Sequence, residues 1–588
     1  MNKIFILILC ILCSTIYFNS LTNSFVYDDE GLIVNNPVIK YPKFLPLIFK
    51  KCLYDYPGLG KDITFDKMYR PLQLLSYAID YRIWKLNPFG FHLTNVLLHL
   101  FNSILIYYLF LIISNNTVSK IASTLFLVHP IHTSVVTYIA GRADLLASSF
   151  MLLSLIGFLQ FIHSQQENFA IHEENERKLL SINHNIPWLK SRGSRRLIKL
   201  RARIYYIASL LSALLALYSR ENALLLFIFI ALILFFLKAK PKYYLYVIPF
   251  ILLDLFYILL RFSVLGNHAF VLHPSSISLP LRLVNFFNII PRYLFILAFP
   301  LDLHLFRTTP FISDLVNIKT FFAILFILFY IVLLIRYRHN RLLVFGMLWF
   351  LTGIIPVFFS LDGYRMLKEA VMAESWLYFS SVGFFIFIST QNILKKFNRI
   401  IFVSFIAFYG FLTAINNVYW KNNIILYKHI SEYIPEERNP VWKNLINSYF
   451  KSGLYEDALA EIKKFSIYYP DSAQTYILWG NYYFLTGELN KAVDNYRVAL
   501  TKDKNNFTIY SNLSLFYKEL NQIDEAIDYG LACFKINPYH LDNLIRLGDL
   551  YRKKRQFIEA NKYYSMALEI DPDNQLIKEK NKECKVIL

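Results

Sequence analysis

Charge is scarce in this chain. Asp, Glu, Lys and Arg make up 17% of its 588 residues, against 56% hydrophobic residues. That balance excludes an ordinary soluble protein of this length and points to many membrane crossings. Cysteine is scarce too: there are five. Only Cys10 and Cys13 are close in sequence, and their CxxC lies inside an apolar run with no second pair. A disulfide framework is therefore excluded, and the two read as small packing residues rather than a metal or redox site. Negative charge is the scarcer sign, with 41 acids against 61 Lys and Arg and a net charge of +20. The basic residues flank apolar runs, as Lys and Arg do in cytoplasmic loops, so nucleic-acid binding is the weaker reading.

What the chain has instead is long apolar runs. They lie at 4–20, 91–113, 119–137, 143–163, 204–218, 221–237, 243–261, 317–335, 342–360, 376–391 and 400–418, 11 spans in all. The first follows Lys3 with no small-x-small cleavage site after it and reads as a retained signal anchor. The segment 283–299 carries Asn285, Asn288, Pro291 and Arg292, and is expected to be re-entrant or interfacial. Four basic stretches are expected to be cytoplasmic: 164–203 (with Arg177, Lys178, Lys190, Arg192 and Arg195), Lys238-Ala-Lys-Pro-Lys242, Arg336-Tyr-Arg-His-Asn-Arg341 and Lys395-Lys-Phe-Asn-Arg399. One topology satisfies them: N-terminus inside, C-terminus outside. It gathers the unusual polar residues on the outer face, the Asp362-to-Glu374 loop included.

Beyond residue 420 the pattern changes to a 34-residue period. Ala458, Ala492, Ala526 and Ala560 fall in step, as do Tyr449, Tyr483, Tyr517 and Tyr551. Small residues, aromatics and terminal prolines at these positions match four tetratricopeptide repeats over 439–578, with 579–588 left as a tail. The expected fold is all-α: a multi-pass helical domain over 1–420, then a helical solenoid whose concave surface suits proteins or peptides.

Several polar groups could carry chemistry. Asp28-Asp29-Glu30 follows the first span. It is either a solvated cap or a carboxylate base at the bilayer surface, and two neighbouring acids could also hold a divalent cation. His129-Pro-Ile-His132 puts two imidazoles on one side of a helix end, where a metal is one reading and a proline-kinked helix end the favoured one. Arg142 and Asp144 sit at membrane depth, where charge is costly and usually functional. Arg142 suits a phosphate or an ion pair to a neighbouring span. Arg220 and Glu221 interrupt an apolar stretch, either as a turn or as part of a site. Arg292, His304 and Arg307 could join Arg142 on a lipid phosphate, with snorkelling as the plainer alternative.

The phrases Tyr27-Asp-Asp, Arg70-Pro-Leu, His92-Leu-Thr-Asn95, His129-Pro-Ile-His132, Gly141-Arg-Ala-Asp144, Arg220-Glu-Asn222 and Glu374-Ser-Trp-Leu-Tyr378, followed by the repeats, resemble one family. It is the membrane O-mannosyltransferase-like proteins of the transmembrane-and-TPR-containing type, with their bacterial relatives. The resemblance implies a GT-C glycosyltransferase fold. It also implies a polyprenyl-phosphate sugar as donor, mannose favoured, and a protein Ser or Thr hydroxyl as acceptor. Transfer would invert the sugar's configuration, with Asp28 or Asp29 as base. The sequence implies no cofactor beyond that donor as substrate. It places the chain in a bacterial inner membrane with the repeats outside. In this family an acid often follows the second His after one more residue; here Ser134 stands there, moving any such role to Asp144 or Glu221. An O-antigen ligase or polymerase fits less well, because the late outer loop 361–375 is short. A scaffold that only recruits partners through the repeats is the other alternative. A transporter is remoter still, since its polar residues would lie nearer the midplane.

Overall fold

The computed structural model describes residues 2–53, 68–181, 188–266, 277–361, 369–391, 399–436 and 439–587. The side chains of 168–195 lie outside that description. So Arg177, Lys178, Lys190, Arg192 and Arg195 do too, and so do Lys395–Asn398 and 362–368. The chain divides into two units. One holds Met1–Asn23 and Tyr69–Trp420; the other holds Ser24–Met68 and Lys421–Leu588. The sequence put all of 1–420 together, whereas here the segment after the first span belongs with the repeats.

In the first unit, nine helices among the described residues are long and apolar enough to cross a membrane. Three expected spans are shorter. The run 119–137 is a helix only over Asn116–Val128. Pro130 lacks an N–H and pushes the residue before it out of helical geometry, and His129 is extended at φ −74°, ψ 128°. The other two are Leu377–Ser389 and Glu221–Phe236. The segment expected to be re-entrant or interfacial is an unbroken helix, Leu279–Ala298, with the length and hydropathy of its neighbours. One of its polar residues is engaged within the unit. Asn285 gives hydrogen bonds to the carbonyls of Leu281 (2.8 Å) and Ile312 (2.9 Å) and accepts one from the Ile312 N–H (2.8 Å). With its hydrogen-bonding capacity met internally, an asparagine is tolerated at such depth. Helices Arg341–Gly353 and Leu377–Ser389 pack backbone to backbone. A Cβ on Gly383 would lie 2.4 Å from the Gly346 carbonyl oxygen, the close approach that small residues permit between membrane helices. The described strands are a short antiparallel pair, β1 (Thr308–Pro310) and β2 (Glu369–Val371), with Thr309 opposite Ala370.

In the second unit the repeats are four helix pairs: Trp442–Lys451 with Tyr455–Tyr468, Ala473–Leu485 with Leu489–Lys502, Phe507–Glu519 with Ile523–Ile536, and Leu541–Lys553 with Phe557–Ile570. The four in-step alanines are fully buried. Facing positions trade volume: where the first helix has Gly480 or Gly548, the second has Tyr496 or Tyr564, and a Cβ on either glycine would strike the ring. The expected tail is instead part of a helix, Gln575–Ile587. Ile577 and Cys584, seven apart, are buried with Ala560 and Ala567. This helix covers an apolar face of the fourth repeat.

Candidate functional site

The acidic segment is a tight, supported turn in the second unit. Tyr27 adopts φ 51°, a left-handed conformation that bulky residues rarely take and that surrounding contacts must hold. Those contacts are present. The Tyr27 N–H donates to Asn423 Oδ1 at 2.9 Å, and Asn423 Nδ2 donates to Glu30 Oε1 at 2.7 Å. Lys451, in the first repeat, donates to Glu30 Oε2 at 2.7 Å. Asp29 is fully buried, and its Oδ2 accepts the Val26 N–H at 3.1 Å. Burial first, and then the charge of Asp28, pushes the Tyr27 phenol well above its ordinary pKa. Tyr427 is pushed the same way, by burial and then by Glu30, Asp28 and Asp29. Asn36 caps the next turn by accepting the Val38 N–H at 2.9 Å. Further on, Tyr41 bonds Asp571 and Lys43 bonds the Glu569 carbonyl. The segment therefore touches both the first repeat and the end of the fourth.

Asp28 and Glu30 stand in the wall of a cavity of about 570 Å³. The rest of the wall comes from the first helices of three repeats and from Tyr27, Asn423 and Tyr427. The three consecutive acids thus do three things. Asp29 closes the turn, Glu30 ties it to the repeats, and half-buried Asp28 meets the cavity.

The polar residues of the first unit are used differently. Arg142 is fully buried. It pairs with Asp80 at 2.5 Å and donates to Asn95 Oδ1 (2.8 Å) and the Phe91 carbonyl (2.7 Å). Asp144 pairs not with Arg142 but with Arg220. Glu221 is gripped by Arg70 and Arg261, each at 2.9 Å. The four charges singled out as donor-phosphate or substrate groups are thus engaged in internal ion pairs, the alternative left open for Arg142, and Asp80, Arg70 and Arg261 were missed as partners. His129 is wholly satisfied: Nδ1 accepts the Ile131 N–H (3.2 Å) and Nε2 donates to the Leu297 carbonyl (2.9 Å), which fixes a neutral tautomer. His132 is buried between Phe126 and Tyr378, at ring distances of 4.5 and 4.9 Å. Both imidazoles are core residues. Among the described residues no three His, Cys, Asp or Glu converge as a metal would require.

Three of the expected residues do gather. Arg292 and Arg307 line a second cavity of about 310 Å³. Arg307 reaches Asp302 (3.3 Å) and Glu374 (3.4 Å), and Glu374 accepts the His304 N–H at 2.9 Å. The ribbon sets this up: the Met372 N–H donates to the Arg307 carbonyl (2.8 Å), just before β1. Burial pushes the Glu374 carboxyl up to about 7, against the pull of Arg307. Arg307 Nε is buried with no hydrogen-bond partner among the described residues, so the guanidinium has a donor to spare. Glu374 was not singled out as a site residue; its position beside an aromatic run was the available signal.

The tetratricopeptide-repeat family profile matches residues 507–540 and 541–574. A human protein named protein O-mannosyl-transferase TMTC3 is 24% identical over 611 aligned residues, covering 95% of this chain and 63% of its own length. The chain is a relative of proteins so named. Mouse protein O-mannosyl-transferase TMTC1 is 38% identical over 157 residues, covering 26% of this chain and 16% of its own. Drosophila melanogaster Tmtc3 is 31% identical over 182 residues, covering 27% and 19%. The chain spans less than two-thirds of the length of the relatives it matches along most of its own length. The resemblance read from the motifs therefore holds, as does the pairing of apolar helices with repeats.

Proposed function

We propose that the chain is a membrane mannosyltransferase. It moves a mannosyl group from a polyprenyl-phosphate donor to Ser or Thr hydroxyls of proteins, with the repeats on the extracytoplasmic side of a bacterial inner membrane. The observation that carries this is Asp28 in the wall of a cavity framed by protein-binding repeats, in a chain related throughout to proteins named for this reaction. The Asp28 carboxylate takes the proton of the acceptor hydroxyl. The hydroxyl oxygen bonds to C1 of the sugar as the bond from C1 to the phosphate oxygen breaks. Polyprenyl phosphate leaves, and the anomeric configuration inverts.

The test is transfer in membranes, using radiolabelled polyprenyl-phosphate mannose and extracytoplasmic protein. Label enters protein with wild type and falls about 10²–10⁴-fold in Asp28→Asn, the span typical of a lost general base. Equal label in wild type and Asp28→Asn removes Asp28 from the mechanism. No label with any donor supports the reading of the repeats as a scaffold alone.

A further inference from the structure

We infer that the segment 42–51 seats in the headgroup layer of an anionic bilayer and holds the repeat unit against that surface. The inference goes beyond the proposed transfer reaction and stands without it.

Charge of one sign marks the segment. Residues 31–53 contain Lys40, Lys43, Lys50 and Lys51 and no Asp or Glu. Tyr41, Phe44 and Phe49 lie among the lysines. Basic residues interleaved with aromatic rings make up segments that lie in a bilayer interface. Two of the lysines are used within the unit: Lys40 faces Asp571, and Lys43 donates to the Glu569 carbonyl at 3.2 Å. The other two look outward. Lys50 is exposed, Lys51 is half-buried, and neither has an ion pair among the described residues.

Geometry sorts the apolar residues. Pro42–Phe49 is a 3₁₀ helix, with three residues per turn, so residues three apart stand in line. Lys43, Pro46 and Phe49 form one line, and all three are exposed. Ile48, on another line, is fully buried and fixes the ridge to its own unit. Phe49 keeps 43% of its surface open. Pro42 and Pro46 carry no N–H, which leaves the ridge fewer donors to satisfy where water is scarce.

Connectivity selects a lipid surface over a protein. The segment follows a membrane-length helix, Lys3–Thr22, and the chain re-enters the membrane unit at Tyr69. The Leu53 N–H donates to the Met68 carbonyl at 2.7 Å, so the segment's end is held beside that re-entry point. The anions met there are lipid phosphates. A lysine near an anionic surface strengthens attachment about fivefold, and an exposed ring adds apolar burial. Tyr41 bonds Asp571 as Lys43 bonds Glu569, so a seated segment also fixes the end of the fourth repeat.

The experiment reconstitutes the full chain, carrying Cys10→Ala, in phosphatidylcholine vesicles with or without phosphatidylglycerol. The other cysteines are buried. A nitroxide is attached at Phe49→Cys. A second, at Ile467→Cys, an exposed position on the first repeat, is the reference for water. Accessibility to oxygen and to an aqueous nickel chelate gives the depth of each label. With phosphatidylglycerol, the Phe49→Cys label is reached by oxygen and shielded from nickel; without it, the shielding falls. Lys50→Gln with Lys51→Gln shifts the balance of seated to lifted label about 25-fold toward water, at unchanged melting temperature. Raising salt from about 0.1 to 1 M also lifts the label, as the Debye length drops from ~10 to ~3 Å. A label as open to nickel as the reference, in anionic vesicles, overturns the inference. So does shielding indifferent to phosphatidylglycerol, salt and the lysines, and so does spin–spin broadening that puts a second copy there. Absence of mannosyl transfer with the segment seated defeats the proposed function alone; a lifted segment in a transferring protein defeats this inference alone.

Discussion

The two units use polar residues in opposite ways. The membrane unit engages Arg142, Asp144, Arg220 and Glu221 in internal ion pairs, with Asp80, Arg70 and Arg261 as the other partners. The repeat unit sets Asp28 and the asparagines Asn444, Asn447, Asn481 and Asn512 around an open cavity. A charge in an apolar sequence is conspicuous because it is costly, and a costly charge is equally well explained by a partner as by a ligand. Asparagines on an amphipathic helix are inconspicuous, yet they are the groups left facing space.

The strongest way to break this comparison is at Arg142. Arg142→Leu strands Asp80 in the interior and should cost about 3–5 kcal/mol, as expected for half of a buried pair, read as a large drop in melting temperature in detergent. Arg142→Leu with Asp80→Leu should regain most of it. A stable Arg142→Leu protein with impaired donor binding would instead make Arg142 a ligand group. In the repeat unit, Gly480→Ala drives a methyl into Tyr496 and should cost about 1–3 kcal/mol, partly recovered by Tyr496→Leu. Within the acidic turn, Asp29→Ala loses the bond to the Val26 N–H and should cost about 1 kcal/mol; transfer should survive far better than in Asp28→Asn. The smallest effect concerns pH. The Glu374 pKa is raised in the folded protein, from 4.5 to about 7. Between those values the folded state holds a proton that the unfolded state has released, so stability falls as pH rises through the window. Glu374→Gln should remove that part of the slope in melting temperature against pH.

Much of the architecture was legible in the sequence, because it is written in periodicities. Apolar length marked most spans, and the buried alanines at Ala458, Ala492, Ala526 and Ala560 marked the repeats. Two expectations rested on local composition alone. The segment around Asn285 was expected to be re-entrant or interfacial for its polarity, and 119–137 was extended past Pro130. Composition over a window does not reveal that Asn285 finds a partner in Ile312, or that one proline outweighs its apolar neighbours. The site was legible in its types and not in its pairings. Asp80 lies far from Arg142 in sequence, and Arg70 far from Glu221, and no local pattern joins them. The asparagines had a signal, the 34-residue step from Asn447 to Asn481, but the repeat was read from its packing positions alone.

The support of the acidic turn has a consequence in time. Glu30 and Lys451 are 421 residues apart, and Tyr41 and Asp571 are 530 apart. At about 5–20 residues per second, a ribosome needs roughly half a minute to two minutes to pass from one end of the longer contact to the other. Until then the strained Tyr27 turn lacks part of its frame. A chain truncated before the first repeat would insert its spans and still lack Lys451 and the cavity wall. The turn that carries Asp28 therefore gains its full set of contacts only once synthesis has passed the repeats.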